Sequence, residues 1–503
     1  MATEYLIGID IGTSRIKTVA YDLQGTVLAS RVLVNPIVYP QPGWSHFEAL
    51  AITEAVLSSL AGLASELSGL QPLAIGVASI GEAGFLLDRH GGVLYPAITW
   101  FDHRTEGYQE RLNQVISESD LFASSGMNPD HIYSLDKILW LRDHEPTLFE
   151  KAVHWLCMED FVIYLLTGEM VTDYTIACRT VAFDRRSKSW NRGLLEQLGI
   201  APNLFVKALP SGTAVAHLRK EVAQQCHLPT SVMVCTGGHD HICAAFAIGM
   251  TEAGCLMDSM GTAEAVKTVL TALPEDTVVM KGHFDCYPHV VEARYILSGH
   301  NPAAGAFWGW IRREMGGDSN TFFETISQRA FTSPPGAYGV TFLPFMEGSG
   351  TPDGQRTASA ALFGLRLSTT QSDLIRAFFE GMSFWLLDNL RTIEGIMGRQ
   401  VERILVTGGG SKNTVWLKIK ADVLGHELVV VELVESTALG AAFLAGRGSG
   451  VFSTYQEASQ QIKRSFKIIQ PNLDTHQEYQ HLFRNAYFHR KRLVLNVGAV
   501  KNT

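Results

Sequence analysis

The sequence predicts an α/β chain built as two similar halves, and three observations predict it. Short apolar runs of strand length alternate with stretches of helical periodicity. A strand, a Gly-Thr turn and a second strand occur near the N-terminus, and the same arrangement returns near residue 260. The chain also has 503 residues, room for two large domains with sizeable cores.

The elements follow in order. Tyr5 to Asp10 is an apolar run ending on an acid, Ile11 to Arg15 turns, Ile16 to Asp22 alternates, and Val27 to Val34 is a third strand after the Gln24-Gly25 turn. A strand after the glycine separates this segment from a P-loop or a dinucleotide fingerprint, both of which need a helix there. Ala51 to Leu67 and Leu135 to Arg142 carry helical periodicity, while Ala74 to Ser79 and Phe85 to Asp88 read as strands. Pro229 to Thr236 is a strand leading into Gly237-Gly238-His239-Asp240-His241 and an Ala-rich helix from Ile242 to Met250. Cys255 to Ser259 and Glu264 to Leu270 flank the second turn, Gly261-Thr262-Ala263. Asp373 to Ile393 is one long helix whose apolar stripe is explained by core packing. Glu402 to Val406, the loop Thr407 to Asn413, the helix Thr414 to Leu424 and the strand Glu427 to Glu432 form a strand-loop-helix-strand unit, followed by a small-residue helix from Ser436. The repeat places a domain boundary near residue 246, giving halves 1–246 and 247–503.

Composition excludes several classes. Charged residues are 18% of the chain, hydrophobic residues 46%, and the formal net charge is −9. This suits a well-packed globular protein and excludes a disordered tail or a basic nucleic-acid-binding surface. No uninterrupted apolar run approaches a membrane span, and Glu4 with no basic cluster argues against a signal peptide. Seven cysteines without a C-x-x-C pair read as buried thiols of a reducing compartment, so a cytoplasmic location is expected. The 46 glycines are about 9% of the chain against a usual ~7%, and many lie in clusters between apolar runs. Gly91-Gly92 and Gly316-Gly317 read as ordinary turns.

Taken in order, the motifs resemble the FGGY-type carbohydrate kinases. They are Ile9-Asp10-Ile11-Gly12-Thr13-Ser14, Pro42-Gly43-Trp44, Trp100-Phe101-Asp102-His103-Arg104, Lys137 to Leu141 and Leu166-Thr167-Gly168-Glu169, then Gly238-His239-Asp240, Gly261-Thr262-Ala263, Thr407 to Ser411 and Glu435 to Ala442. Each is weak alone, and their collinearity over most of the chain makes the resemblance specific. It implies two duplicated actin/hexokinase/Hsp70-like (ribonuclease H-like) domains flanking a catalytic cleft that closes during turnover. It also implies ATP-dependent phosphorylation of a small sugar, ketose, polyol or sugar acid, with sugar and ATP as partners, Mg²⁺ as cofactor, no nucleic acid or membrane partner, and room for a homodimer.

Phosphoryl transfer asks mainly for positioning and charge neutralisation. Gly12, Thr13 and Ser14 in one half and Gly261 and Thr262 in the other are expected to cradle phosphates, since glycine admits close approach and threonine adds a hydroxyl. The resemblance gives Asp10 the magnesium ion, held through water, and Asp240 the proton of the acceptor hydroxyl; an ordinary alternative makes Asp240 the N-cap of the following helix. Glu82, Trp100, Asp102, Asp240 and His241 are the expected sugar contacts. Arg104 is expected to pair with a carboxylate, and core packing is the plain alternative for Trp100. His241 stands where better-known relatives carry Asn or Gln, and His239 with His241 is poor spacing for zinc. Gly408, Gly409, Gly410, Ser411 and Asn413 are expected at adenosine. Glu347 to Pro352 departs from the family's Gly-Glu-Arg-x-Pro pattern and receives no role. An actin-like ATPase or sugar sensor without metabolite kinase activity is the alternative from another class.

Overall fold

The computed structural model describes residues 3–314 and 322–500; the Gly316-Gly317 turn expected from the sequence lies outside them. The chain divides into two compact units. The first comprises Met1–Thr251, Tyr287–Tyr295 and Leu433–Lys463, and the second Glu252–Cys286, Ile296–Glu432 and Arg464–Thr503. The main segment of the first unit ends at Thr251, close to the boundary expected near residue 246, and two later segments of the chain join it. The small-residue helix Ser436–Gly448, placed by sequence order in the second half, packs into the first unit.

The first unit is built on a six-stranded sheet of β1 (Glu4–Ile11), β2 (Arg15–Tyr21), β3 (Val27–Val34), β4 (Gln71–Ser79), β5 (Ala214–His217) and β6 (Met233–His239), in the order β5-β6-β4-β1-β2-β3. β1, β2 and β3 form an antiparallel meander, while β4 and β6 run parallel to β1. The second unit carries β7 (Cys255–Met260), β8 (Glu264–Leu270), β9 (Asp285–Pro288), β10 (Tyr295–Asn301), β11 (Arg403–Thr407), β12 (Leu428–Glu432) and β13 (Ser465–Ile469), in the order β9-β10-β8-β7-β11-β12-β13. Here β7 and β8 are an antiparallel hairpin, and β11 and β12 continue parallel to β7. The core order β3-β2-β1-β4-β6 is repeated as β10-β8-β7-β11-β12. The duplication expected from two Gly-Thr turns is thus present in strand order.

The period of two along β1 and β4 explains how both faces of the first sheet are covered. Ile7, Ile9, Ile75 and Val77 are fully buried against Ile52, Val56, Leu60 and Leu63 of the helix Ala49–Glu66. That helix is long and apolar enough to cross a membrane by length and composition, yet its apolar side lies in this core. On the opposite face, Gly8, Gly76 and Gly237 meet the helix Ser436–Gly448 so closely that a Cβ at Gly8 would stand 1.8 Å from the Ala438 carbonyl oxygen, and one at Gly76 1.9 Å from that of Ala441. Part of the glycine excess is therefore a bare strip on a sheet that lets a helix backbone lie against it. Gly237, expected to be a turn residue, belongs to this strip. All seven cysteines are free thiols, as expected.

Candidate active site

Register brings three chain segments together at one end of the first sheet. Ile11 of β1 and His239 of β6 both align with Ser79 of β4. The turn after β1, the segment Ile80-Gly81-Glu82 after β4 and Asp240 after β6 consequently emerge side by side, the usual place for ligands in sheets of this kind.

At the first turn, the Gly12 N–H donates to the Arg15 carbonyl at 3.0 Å and closes a hairpin. Gly12 has no positive φ; glycine suits the tight hairpin here, since a Cβ would stand 3.1 Å from that carbonyl oxygen, a close contact. Thr13 is half-buried and Ser14 exposed, so both hydroxyls are open to a phosphate. Asp10 is 7% exposed, and its carboxyl is pushed up to about 7 by burial, then by the charges of Asp240 and Glu435, against the opposing effect of Lys17. Lys17 lies 3.9 Å from Asp10 and 2.6 Å from Glu435. Glu435 precedes the helix Ser436–Gly448 in a left-handed conformation, and the Thr437 hydroxyl donates to the Asp240 carbonyl at 3.4 Å. A buried carboxyl whose proton affinity is raised by two neighbouring carboxylates fits a magnesium ion, a hard cation that takes oxygen donors and whose charge would relieve the repulsion on Asp10.

Asp240 is the first residue of the helix Asp240–Ala247, and His239 occupies the N-cap position without a side-chain cap. The N-cap alternative for Asp240 is therefore replaced by an N-terminal carboxylate, favoured by the helix dipole. Its Oδ1 accepts the His241 N–H at 2.5 Å and lies 3.3 Å from His239 Nε2. The ring of His241 meets that of His239 edge-on at 5.5 Å. Neither belongs to a three-donor metal cluster; among the described residues such a cluster exists at His103, Glu106 and His131.

Glu82 stands beside this group in a strained backbone, with φ +62°, a conformation that costs a non-glycine residue ~1–3 kcal/mol. Two side chains hold it there: the Ser134 hydroxyl and the fully buried Lys137 ammonium donate to its carbonyl at 2.9 and 3.0 Å. Its carboxylate pairs with Arg179, whose guanidinium lies 5.3 Å from the Tyr133 ring and 6.0 Å from the Tyr287 ring. A Cβ at Gly81 would meet Arg179 Cγ at 2.9 Å, so glycine there makes room for the arginine. Trp100 is 41% exposed, which excludes the core alternative, and its Nε1–H donates to the Thr13 hydroxyl at 3.2 Å.

Asp102 corrects the sequence expectation. Its side chain is wholly buried. Oδ1 accepts the Arg104 N–H and Nε–H, both at 2.8 Å, and Oδ2 accepts Arg104 Nη2 at 2.8 Å and the Ser45 N–H at 2.5 Å. Four donors fill the capacity of a carboxylate, so none is left for a sugar. Arg104 in turn stacks 4.1 Å from the Trp44 ring and 5.2 Å from Trp140. The Pro-Gly-Trp, Trp-x-Asp-x-Arg and Lys137 to Leu141 motifs thus converge on one internal support.

In the second unit the Gly261 N–H donates to the Ala263 carbonyl at 3.0 Å. Gly305 packs on Gly261, and the Gly305 and Ala306 N–H groups donate to the Thr262 carbonyl at 2.8 and 3.0 Å. Beneath this hairpin the buried Lys420 ammonium donates to Asp258 and Glu264 at 2.6 Å each. Gly408 leaves β11 with φ +88°, and a Cβ there would stand 2.7 Å from the Met260 carbonyl oxygen. Gly409 faces open space and Gly410 packs on Met260. The Ser411 hydroxyl donates to the Gly408 carbonyl at 2.7 Å. Asn413 is the N-cap of the helix Thr414–Leu424: its Oδ1 accepts the Trp416 N–H at 3.1 Å and its Nδ2 donates to the Ser327 hydroxyl at 2.7 Å. These two bonds give Asn413 a role in the fold and use one of its two Nδ2–H donors, beside its expected role at adenosine.

Sequence reading missed Lys17, Glu435 and Arg179. Glu435 and Thr437 sat inside a recognised motif, and Lys17 alternates with buried residues on a strand whose other face is core. No local signal ties Arg179 to Glu82, 97 positions away.

Residues 5–247 match the family model described as "FGGY family of carbohydrate kinases, N-terminal domain", and residues 256–449 match its C-terminal domain. The chain is 29% identical over 496 residues to a xylulose kinase of Bacillus subtilis (strain 168), covering 97% of this chain and 98% of that protein. It is 28% identical over 477 residues to an L-fuculokinase of Escherichia coli (strain K12), covering 94% and 98%. Among solved structures, a xylulose kinase from Rhodospirillum rubrum aligns with a TM-score of 0.90 at 25% identity over 97% of this chain and 99% of the other. A gluconate kinase from Lactobacillus acidophilus aligns with a TM-score of 0.89 at 23% identity over 98% of each.

Proposed function

Because the chain belongs to the FGGY family of carbohydrate kinases, we propose that it transfers the γ-phosphoryl group of ATP to a hydroxyl of a neutral ketose, with Asp240 as the residue that holds and deprotonates that hydroxyl. The observation that carries this reading is the placement of Asp10 and Asp240 at the same end of the two strands that flank β4, close enough for the charge of Asp240 to raise the proton affinity of Asp10.

Asp240 orients the acceptor oxygen and receives its proton late, because the transferring phosphoryl is loosely bonded at the top of the barrier. Thr13, Ser14 and the backbone N–H groups of the first hairpin hold phosphate oxygens, as do Gly261 and Thr262 in the second unit. Gly408, Gly409 and Gly410 accept the adenosine moiety close to the backbone. A magnesium ion, when bound, neutralises phosphate charge; Asp10 would hold it through water, with Glu435 restrained by Lys17.

For the sugar, Glu82 and Arg179 neutralise one another, which suits a neutral polyol better than a sugar acid. Exposed Trp100 offers a face for C–H groups, and His241 beside Asp240 offers a polar contact. Similar proteins are named xylulose kinase and L-fuculokinase, which supports an acceptor that is a ketose or related sugar of five or six carbons. The free thiols accord with a reducing, cytoplasmic setting.

A coupled ADP-release assay over pentuloses, hexuloses, 6-deoxy sugars, polyols and sugar acids tests the proposal. Turnover is expected with a ketose, and Asp240→Asn should lower kcat roughly 10²–10⁴-fold. Turnover confined to sugar acids would overturn the neutral-acceptor reading. ATP hydrolysis that requires a protein partner and no sugar would overturn the kinase reading.

A further inference from the structure

β6 does not end as a regular strand. Its pairing with β4 slips between Thr236 and Gly238, leaving Gly237 as an extra residue in a bulge. The backbone donors released by the slip are taken by side chains from elsewhere in the first unit. Gly237 N–H donates to Glu159 Oε1 at 2.8 Å, and His239 N–H, one residue before Asp240, donates to the Thr175 hydroxyl at 2.7 Å.

The Thr175 hydroxyl is itself directed. It donates to Asp173 Oδ1 at 2.5 Å, an oxygen that also accepts the Ile176 N–H at 2.9 Å, while Asp173 Oδ2 accepts the Ser211 hydroxyl. An ionised carboxylate only accepts, so Asp173 fixes the Thr175 proton toward itself and leaves the threonine lone pairs for His239. All of these side chains are buried. Burial raises the Asp173 carboxyl to about 6, against the lowering effect of its hydroxyl and N–H donors, so it is charged at neutral pH. Gly238 has φ +133°, and a Cβ there would lie 2.8 Å from Thr175 Oγ1 and 3.3 Å from Ser211 Oγ. Glycine at this position is what admits the hydroxyls beneath the backbone.

We propose that Thr175 and Asp173, with Glu159 beneath the bulge, are positioning residues that fix the backbone at the end of β6 and thereby aim the Asp240 carboxylate at the acceptor hydroxyl. The proposal rests on the assignment of Asp240 made above. Thr175 and Asp173 touch no substrate in it; they act through the peptide that carries the catalytic group, where a displacement of about 1 Å costs ~10²-fold in rate.

The test uses the full-length enzyme with its best sugar and compares Thr175→Val, Thr175→Ser and Asp240→Asn by steady-state kinetics and thermal melting. Valine keeps the shape of threonine and removes the hydroxyl. Thr175→Val is expected to lower kcat roughly 10- to 100-fold with KM for sugar and ATP within about 2-fold of the parent, and Thr175→Ser to restore kcat. A kcat for folded Thr175→Val within about 2-fold of the parent overturns the proposal. So does a serine variant no better than the valine one, because a merely structural role predicts no rescue that follows the hydroxyl. Should Thr175→Val fail to fold, Asp173→Asn is measured in the same way, with the same loss of kcat at constant KM expected and parental kcat overturning. If Asp240→Asn turns over like the parent, the Asp240 assignment is what fails; if Asp240→Asn is inactive and Thr175→Val is not impaired, only the positioning role fails.

Discussion

Replacing Asp102 by Asn separates a substrate contact from an internal support, two roles that the Trp-x-Asp-x-Arg segment alone does not distinguish. The substitution preserves shape and removes one charge. In the parent, the Asp102 side chain is 0% exposed and that of Arg104 1%, and all four acceptor positions are filled by Ser45 and Arg104. Asparagine leaves the guanidinium charged, stacked on Trp44 and without a counter-ion. Breaking a buried pair in this way costs about 3–5 kcal/mol. With a melting shift of about 2–4 °C per kcal/mol for a unit of this size, the variant should melt roughly 6–20 °C lower. Scanning calorimetry or circular dichroism reads that shift, and the coupled ADP assay at low temperature should return a parental KM for sugar. Adding Arg104→Met should recover part of the loss, since the uncompensated charge is then gone. A melting temperature within about 2 °C of the parent together with a KM raised about ten-fold would refute the reasoning and return Asp102 to the sugar.

Asp10 gives a pH-dependent prediction in the absence of divalent cations. Its carboxyl is raised to about 7 in the folded protein, so between about pH 4 and 7 the native state binds a proton that the unfolded chain has released, and stability falls as pH rises through that window. Asp10→Asn removes the penalty: its melting temperature relative to the parent should rise from near zero at pH 4.5 to a plateau above pH 7, while turnover is lost. A difference flat with pH would contradict this. Asn413→Ala should cost about 1 kcal/mol as a lost helix cap; a KM for ATP within about 2-fold of the parent would confine Asn413 to the cap, and a large rise in KM would add a nucleotide contact to it. Gly8→Ala should lower the melting temperature through overpacking worth about 1–3 kcal/mol, because its Cβ would stand 1.8 Å from the Ala438 carbonyl oxygen; an unchanged melt would mean that the helix yields freely.

What the sequence made legible was mostly local. The hairpins at Gly12 and Gly261, the helix Thr414–Leu424 and the strand Glu264–Leu270 follow from periodicity and turn residues that act over a few positions. Glu82 was legible as a residue of interest, but its strained φ depends on Lys137 and Ser134, and its carboxylate on Arg179. These partners lie 52 to 97 positions away and leave no trace in the local pattern. Asp102 and Arg104 were read as neighbours in a motif; that they bind one another, and so remove the aspartate from the substrate, depends on Trp44 and Trp140 closing over the guanidinium. The boundary near residue 246 came from a repeat in order along the chain, whereas the units are defined by packing. A strip of glycines on three strands of the first unit has its complement in a helix near residue 440.

That helix gives the protein a timetable. During synthesis at ~5–20 residues per second, the interval between completion of Thr251 and of Lys463 lasts on the order of 10–40 s. Throughout it, the first unit has all six strands of its sheet and lacks the cover for one face. The exposed strip carries hydrogen atoms where other sheets carry side chains, so it offers little apolar surface to solvent or to other nascent chains while it waits. A chain that ends before residue 433 lacks the helix that covers this face, so the first unit depends for its complete core on sequence made nearly two hundred residues after its last sheet strand.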